Sequence, residues 1–168
     1  MAATKRVDDA LLAAVAREAR VSPRLRRNHN FHSHEEPVQR LLNALQPGTY
    51  VRPHRHRGEG SFEFFCVLQG AVGCLTFDDT GVVLEACRLD ARGGAHPRGI
   101  EISGDIWHAL VCLAPDTVIL EIKEGPYDAT NGKEWLAGYP DEFAALQGAT
   151  AVRAQVDATI AQWASLFK

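Results

Sequence analysis

From Pro37 onward the chain is cut into short apolar runs by turn signals, and this punctuation limits the fold more than any other feature. The runs are "VQRLLNAL", "TYVRPHRH", "SFEFFCVLQ", "AVGCLTFDD", "VVLEACRL", "GIEIS", "WHALVCLA" and "TVILEIKE". Between them stand "QPG", "RGEG", "QG", "DDTG", "ARGG" and "SGD". Short segments rich in Val, Leu, Phe and Ile, with turn residues at regular intervals, predict an all-β sandwich or small barrel. In "DDTG", Gly81 is free to take the positive φ of a hairpin turn.

Helical patterns flank this region. Val7 to Arg20 predicts a helix that Asp8 can cap, with Val7, Leu11, Val15 and Ala19 on one face. "VSPRLRRNHNFHSHEEP" reads as a polar connector. Beyond "EGPYDATNGKEW" the chain turns Ala-rich, and Val152, Val156, Ile160, Trp163 and Phe167 keep one apolar face. This tail is predicted to pack on the barrel or on a second subunit. The expected division is an N-terminal helix and connector (1–36), a β-barrel (37–125) and a C-terminal helical extension (126–168).

Composition excludes several function classes. With 46% hydrophobic and 23% charged residues, the 168-residue chain has the make-up of one globular domain. A formal charge of −3 gives no electrostatic case for nucleic-acid binding. The apolar runs fall far short of the roughly 20 residues that span a bilayer. The N-terminal stretch carries acids and arginines through its apolar part, unlike a secretory signal, so the expected location is cytoplasmic. Cys66, Cys74, Cys87 and Cys112 form no CxxC pair and read as small buried hydrophobes, with Cys112 the one nearest to candidate chemistry at His108.

That chemistry begins in "YVRPHRHRGEGSFEFF". On a strand, His54 and His56 point to one face, roughly 6–7 Å apart, and two imidazoles leaning together can reach one ion. Tyr50 and Arg52 alternate onto the same face. Glu63 is the only charged residue in "SFEFFCVL". An unpaired carboxylate inside a buried strand costs several kcal/mol, and a metal ion removes that cost. The "RGEG" loop has the glycines to return Glu63 beside the histidines. His108 opens "WHALVCLA" after a turn and supplies a fourth donor from a distant strand. The exposed-looking pair His32 and His34 has no apolar strand around it and is not expected to bind metal.

These residues carry a family resemblance. "GTYVRPHRHRGEGSFEFFCVLQG" resembles the first cupin motif, with Gly48 and Gly70 at its glycine positions and His54, His56 and Glu63 at its ligand positions. The gap from His56 to Glu63 is about two residues longer than is usual for that motif. "SGDIWH" resembles the second motif, with Ser103 at its Pro position, Asp105 at its Gly position and His108 at its ligand position. "SPRLRRNHNFH", "EPVQRLLNALQPGTYVRPHRH" and "KEGPYD" are similar to WbuC-type cupin-fold metalloproteins of bacteria. This implies a mainly β chain with a single cupin domain, a double-stranded β-helix or jelly-roll barrel. It also implies assembly as a homodimer and a link to surface-polysaccharide synthesis.

Three histidines and one glutamate leave two positions open on an octahedral ion, and mixed nitrogen and carboxylate ligands suit Fe, Mn, Ni, Co or Zn. Arg52 is placed either to meet an anionic group of the substrate or to pair with Glu63 or another acid. Tyr50 is a further candidate for substrate contact, with simple packing the favoured alternative; Asn28, His29 and Asn30 either touch the substrate as part of a lid or belong to a solvated connector. The expected function is a metal-dependent enzyme on a small polar or anionic substrate, an isomerase, an epimerase or a dioxygenase. The alternative is a carbohydrate- or metabolite-binding module using the same metal without turnover.

Overall fold

Two five-stranded antiparallel sheets face each other to make the barrel, with helices on both outer surfaces. The computed structural model describes residues 4–56, 60–126, 128, 132–148 and 150–168. Helix α1 (Asp9–Val21) leads into strands β1 (Arg26–Asn30), β2 (Val38–Leu45), β3 (His54–Arg55), β4 (Phe62–Gln69) and β5 (Ala71–Phe77). Strands β6 (Val83–Asp90), β7 (Gly99–Ser103), β8 (Trp107–Cys112), β9 (Thr117–Glu124) and β10 (Glu134–Trp135) follow. Helices α2 (Glu142–Leu146) and α3 (Thr150–Ser165) complete the described elements. The first sheet runs β1-β2-β9-β4-β7 and the second β10-β3-β8-β5-β6. This is the cupin barrel, with its N-terminal helix and C-terminal helices.

Strand alternation sorts each sheet into an inner and an outer face. The inner faces supply Leu45, Phe65, Val67, Val72, Cys74, Leu110, Cys112 and Ile119 to the barrel core. The outer face of the first sheet, at Leu42, Ala44 and Val118, packs on Leu12, Val15, Ala16 and Ala19 of α1. The outer face of the second sheet, at Leu75, Phe77, Trp107, Ala109 and Val111, packs on Val156 and Trp163 of α3. Strands β5 and β8 are therefore covered on both sides, which is why their sequences read as continuous apolar runs rather than alternating ones.

The helix α1 starts at Asp9, with the Asp8 carboxylate accepting from the Leu11 amide. Val7 lies outside the helix and is exposed, so the buried stripe is carried by Leu12, Val15, Ala16 and Ala19. The polar connector holds a strand: β1 pairs with β2, Asn28 opposite Asn43. The run "TYVRPHRH" forms only the two-residue β3. Pro53 lacks an N–H and restricts the residue before it, so pairing starts at His54. Strand β10 lies beyond the eight expected runs and pairs with β3, Trp135 opposite His54. The helical tail is two helices, broken at Gly148, which has φ +87°. The expected "RGEG" reversal lies largely outside the described residues, which omit 57–59. Gly70 joins β4 to β5 with φ +78°, and a Cβ there would sit 2.4 Å from Thr117 Oγ1, so the tight turn requires glycine.

Trp163 is 3% exposed and meets Tyr50, Phe77 and Tyr139 with ring centroids 5.9, 5.8 and 5.7 Å away. Trp163→Ala is expected to cost about 3–5 kcal/mol of stability in denaturant unfolding. A loss below about 1 kcal/mol would show that the tail does not rest on its own barrel.

Candidate metal centre

The second sheet brings three histidines to one place and the first sheet supplies a carboxylate. His54 on β3 stands directly opposite His108 on β8, with ring centroids 4.5 Å apart. His56 follows one residue beyond β3, where its amide bonds the Gly104 carbonyl. Glu63 projects inward from β4, between Ile102 of β7 and Lys123 of β9 in register. His54, Glu63 and His108 are 3%, 2% and 1% exposed. One donor atom from each of the four residues lies within 4.8 Å of all the others.

The hydrogen bonds orient each ring. Nδ1 of His54, His56 and His108 lies 2.9, 3.0 and 2.9 Å from the carbonyl oxygens of Arg52, Gly132 and Ile106. A carbonyl only accepts, so each Nδ1 carries its proton and donates it. In the neutral ring each Nε2 then has a free lone pair, the tautomer a metal-binding histidine uses. The Nε2 atoms of His56 and His108 both lie 2.9 Å from the same Glu63 oxygen, Oε2. With a proton at Nε2 each ring donates to Glu63; a cation in the same place would be met by both Nε2 lone pairs and the carboxylate. Ligands at right angles around an ion, each at roughly 2.0–2.1 Å, stand about 2.9 Å from one another. The spacing therefore fits a divalent ion.

Electrostatics hold the donors in the right states. Burial opposes charge on Glu63, but Lys123 and the two histidines outweigh it and hold the carboxyl well below its ordinary range. Burial, then Lys133 and His108, hold His54 well below its ordinary 6.5, so it stays neutral.

The other predicted residues divide. Arg52 lines the mouth of the cavity above the cluster, over the Trp135 ring at 5.6 Å. Asn28 and Asn30 share the inner face of β1 with Arg26, and both line a side chamber that includes Lys123. His29 points to the opposite face, where its ring meets Phe31 at 5.1 Å, away from the cavity. Tyr50 turns away from His54: it is 5% exposed, stacks on Trp163 and donates to the Pro140 carbonyl. Cys112 is buried, and burial pushes its thiol up to about 11, so it is not a ready thiolate.

Four residues at the site escaped the sequence reading. Glu121 and Lys123 point inward from β9, where Lys123 Nζ lies 2.9 Å from Glu121 and 3.4 Å from Glu63. Their signal was present: in "TVILEIKE" the charges alternate with apolar residues just as Glu63 does. Lys133 reaches in from the mouth and donates to His54 Nε2 at 3.0 Å, and burial, then Lys123, lower its pKa to about 8. Trp135 stands beside His54, with ring centroids 5.5 Å apart. Neither Lys133 nor Trp135 lies in a patterned run, so sequence periodicity carried no sign of them.

The cavity has an outer chamber of about 390 Å³ that reaches His54. An inner chamber of about 100 Å³ is floored by His54, Glu63 and His108. The buried Asn43 Oδ1, which also lines the inner chamber, has no hydrogen-bond partner among the described residues. No helix is long and apolar enough to cross a membrane among the described residues.

Solved structures with TM-scores above 0.5 agree on the fold. Residues 7–89 match the family described as a domain of unknown function, DUF6016. No curated protein matches the sequence. The capsular polysaccharide assembling protein CapF from Staphylococcus aureus aligns with a TM-score of 0.53 and 15% identity over 64% of this chain. This chain spans only 30% of CapF. The conserved SPY1581 protein of unknown function from Streptococcus pyogenes aligns with a TM-score of 0.51 and 14% identity, covering 76% of this chain and 93% of that one. KdgF from Halomonas sp. aligns with a TM-score of 0.48 and 20% identity, covering 65% and 84%.

A neutral buried His54 makes stability depend on pH in a defined direction. In the unfolded chain it titrates near 6.5, whereas the folded chain resists its protonation. The unfolded state then binds more protons as pH falls below about 6.5, and stability falls with it. In metal-free protein, denaturant midpoints measured from pH 7.5 to 5 should decline, and His54→Asn should flatten that decline. Equal slopes for the two proteins would contradict a neutral buried His54.

Proposed function

We propose that this chain is a metal-dependent cupin enzyme acting on a small polar or anionic molecule. The 2.9 Å approach of two histidine Nε2 atoms to one buried Glu63 oxygen carries this reading, because a divalent cation accounts for all three donors at once. His54, His56, Glu63 and His108 would hold the ion, with the three backbone carbonyls fixing the rings. When bound, such an ion supplies Lewis-acid or redox chemistry at positions the protein leaves open. The chain itself contributes orientation, through β3, β4 and β8, and exclusion of water by an apolar barrel core. Arg52, Lys133 and Lys123 give the cavity cationic walls suited to an acidic ligand. Fe, Mn, Ni, Co and Zn all match the donor set.

A sugar-related substrate, isomerised, epimerised or cleaved with oxygen, is the form of this reading we favour. The description of CapF as a capsular polysaccharide assembling protein points the same way, although the likeness itself extends only to the fold. We further propose that the chain works in the cytoplasm as a homodimer. A binding module that holds a metabolite without turnover is the second reading. The pairing of Glu121 with Lys123 favours it, since each is engaged by the other rather than free to move a proton.

Protein purified without an affinity tag should carry about one divalent transition metal per chain by elemental analysis. His54→Ala, His56→Ala and Glu63→Ala should each lower that content at least tenfold, the range expected for lost ligands. Metal content unchanged by all three substitutions would overturn the site. Turnover in a screen of nucleotide sugars and small acids separates enzyme from binding module.

A further inference from the structure

The geometry points to a second anion subsite in the outer chamber, formed by Arg52 and Lys133 beside Trp135, which selects a substrate carrying a carboxylate or phosphate in addition to the group that faces the histidine cluster. This deepens the metal-site reading and rests on it for the position of the first group and for the release of Lys133 from His54.

Most cations lining the chamber already have anions. Arg24 and Arg26 both bond Glu142, at 2.6 and 2.7 Å. Lys123 is shared by Glu121 and Glu63. Two cations lining the outer chamber remain without a close carboxylate. Arg52 reaches only the exposed Asp141, at 3.4 Å, and its buried Nε has no hydrogen-bond partner among the described residues. Lys133 makes no ion pair with any described carboxylate. Its acceptor is His54 Nε2, the lone pair that the metal reading assigns to the ion. Once a cation takes that lone pair, the ammonium has lost its acceptor and faces added positive charge.

The buried Arg52 Nε–H lacks an acceptor among the described residues, and Lys133, an exposed residue at the mouth, would lose its own; one oxyanion would serve both. Both side chains line this chamber and share one ring: Arg52 Cζ and Lys133 Nζ lie 5.6 and 5.9 Å from the centroid of Trp135. The chamber, at about 390 Å³, falls within the ordinary size range of small-molecule sites. Glu142 and the rim residue Asp128 are the acids lining it, and Glu142 is taken up by the two arginines. The ligand class is therefore a small organic anion with two oxygen-bearing groups, one on Arg52 and Lys133 and one toward the floor.

Calorimetric titration of the metal-loaded full-length protein with malonate, inorganic phosphate and neutral malonamide tests this. Wild-type protein should bind at least one of the two anions and not malonamide. Arg52→Met and Lys133→Met should each weaken that binding roughly tenfold or more, while Arg52→Met keeps the wild-type metal content. Tighter malonate binding identifies a carboxylate subsite, and tighter phosphate binding a phosphoryl subsite. Absence of anion binding to wild type, wild-type affinity in both variants, or malonamide binding equal to malonate would overturn the proposal. Should the wild-type protein hold no metal, the metal reading fails on its own. The subsite is then judged by malonate and phosphate titration of metal-free protein, where weaker binding by Arg52→Met upholds it and unchanged binding overturns it. If Arg52→Met does not fold, Lys133→Met and Arg52→Lys decide, the lysine variant being expected to keep part of the affinity.

Discussion

A carboxylate held inside a barrel is the constraint from which the rest of this structure follows. Glu63 is 2% exposed on a strand otherwise given to Phe, Cys, Val and Leu. Left alone it would cost several kcal/mol. The fold answers with His56 and His108 on one oxygen and Lys123 on the other. Each of those partners has its own support: a backbone carbonyl behind each histidine, Glu121 beside the lysine. The two sheets are thus joined through the core by charge as well as by apolar packing, and the junction has the spacing of a coordination sphere.

Much of this was legible in the sequence because it broke a pattern. A glutamate in an apolar run, two histidines at strand spacing and a histidine after a turn are exceptions to burial rules, and each exception marks a donor. The strand runs from "VQRLLNAL" to "TVILEIKE" were readable from turn chemistry, and seven of the eight are strands close to their expected bounds, the exception being "TYVRPHRH". The failures have the same physical root. Strand β1, "RRNHN", is polar because one of its faces lines the cavity, so no apolar alternation announced it. Tyr50 was assigned to the ligand face by strand alternation, but the backbone before Pro53 is not a strand, and the ring follows α3 instead. His29 sits next to two residues that face the cavity and, by the same alternation, is turned away from it. Lys133 and Trp135 could be found only in three dimensions, because their place depends on β10 pairing with β3.

The C-terminal helices matter to the site as well as to stability. Helix α3 covers the outer face of β8, the strand that presents His108 inward while Trp107 and Ala109 pack outward. Glu142 at the start of α2 reaches back to Arg24 and Arg26, tying the end of the chain to the first strand at the cavity mouth. Charges that would otherwise bind a ligand are thereby neutralised on one side of the mouth. Arg52 and Lys133 line the same chamber without a close carboxylate partner among the described residues, and on the proposal above they would meet an anion.

The central claim is that three Nε2 atoms and one glutamate oxygen converge on a single ion. Anomalous diffraction from crystals of metal-loaded protein, collected at the absorption edge of the metal it carries, tests this most directly. The account predicts one peak per chain, about 2.0–2.2 Å from Nε2 of His54, His56 and His108 and from a carboxylate oxygen of Glu63. It also predicts that Lys133 will have left His54. A peak elsewhere, or loaded crystals in which those four side chains keep their hydrogen bonds with no ion between them, would contradict it.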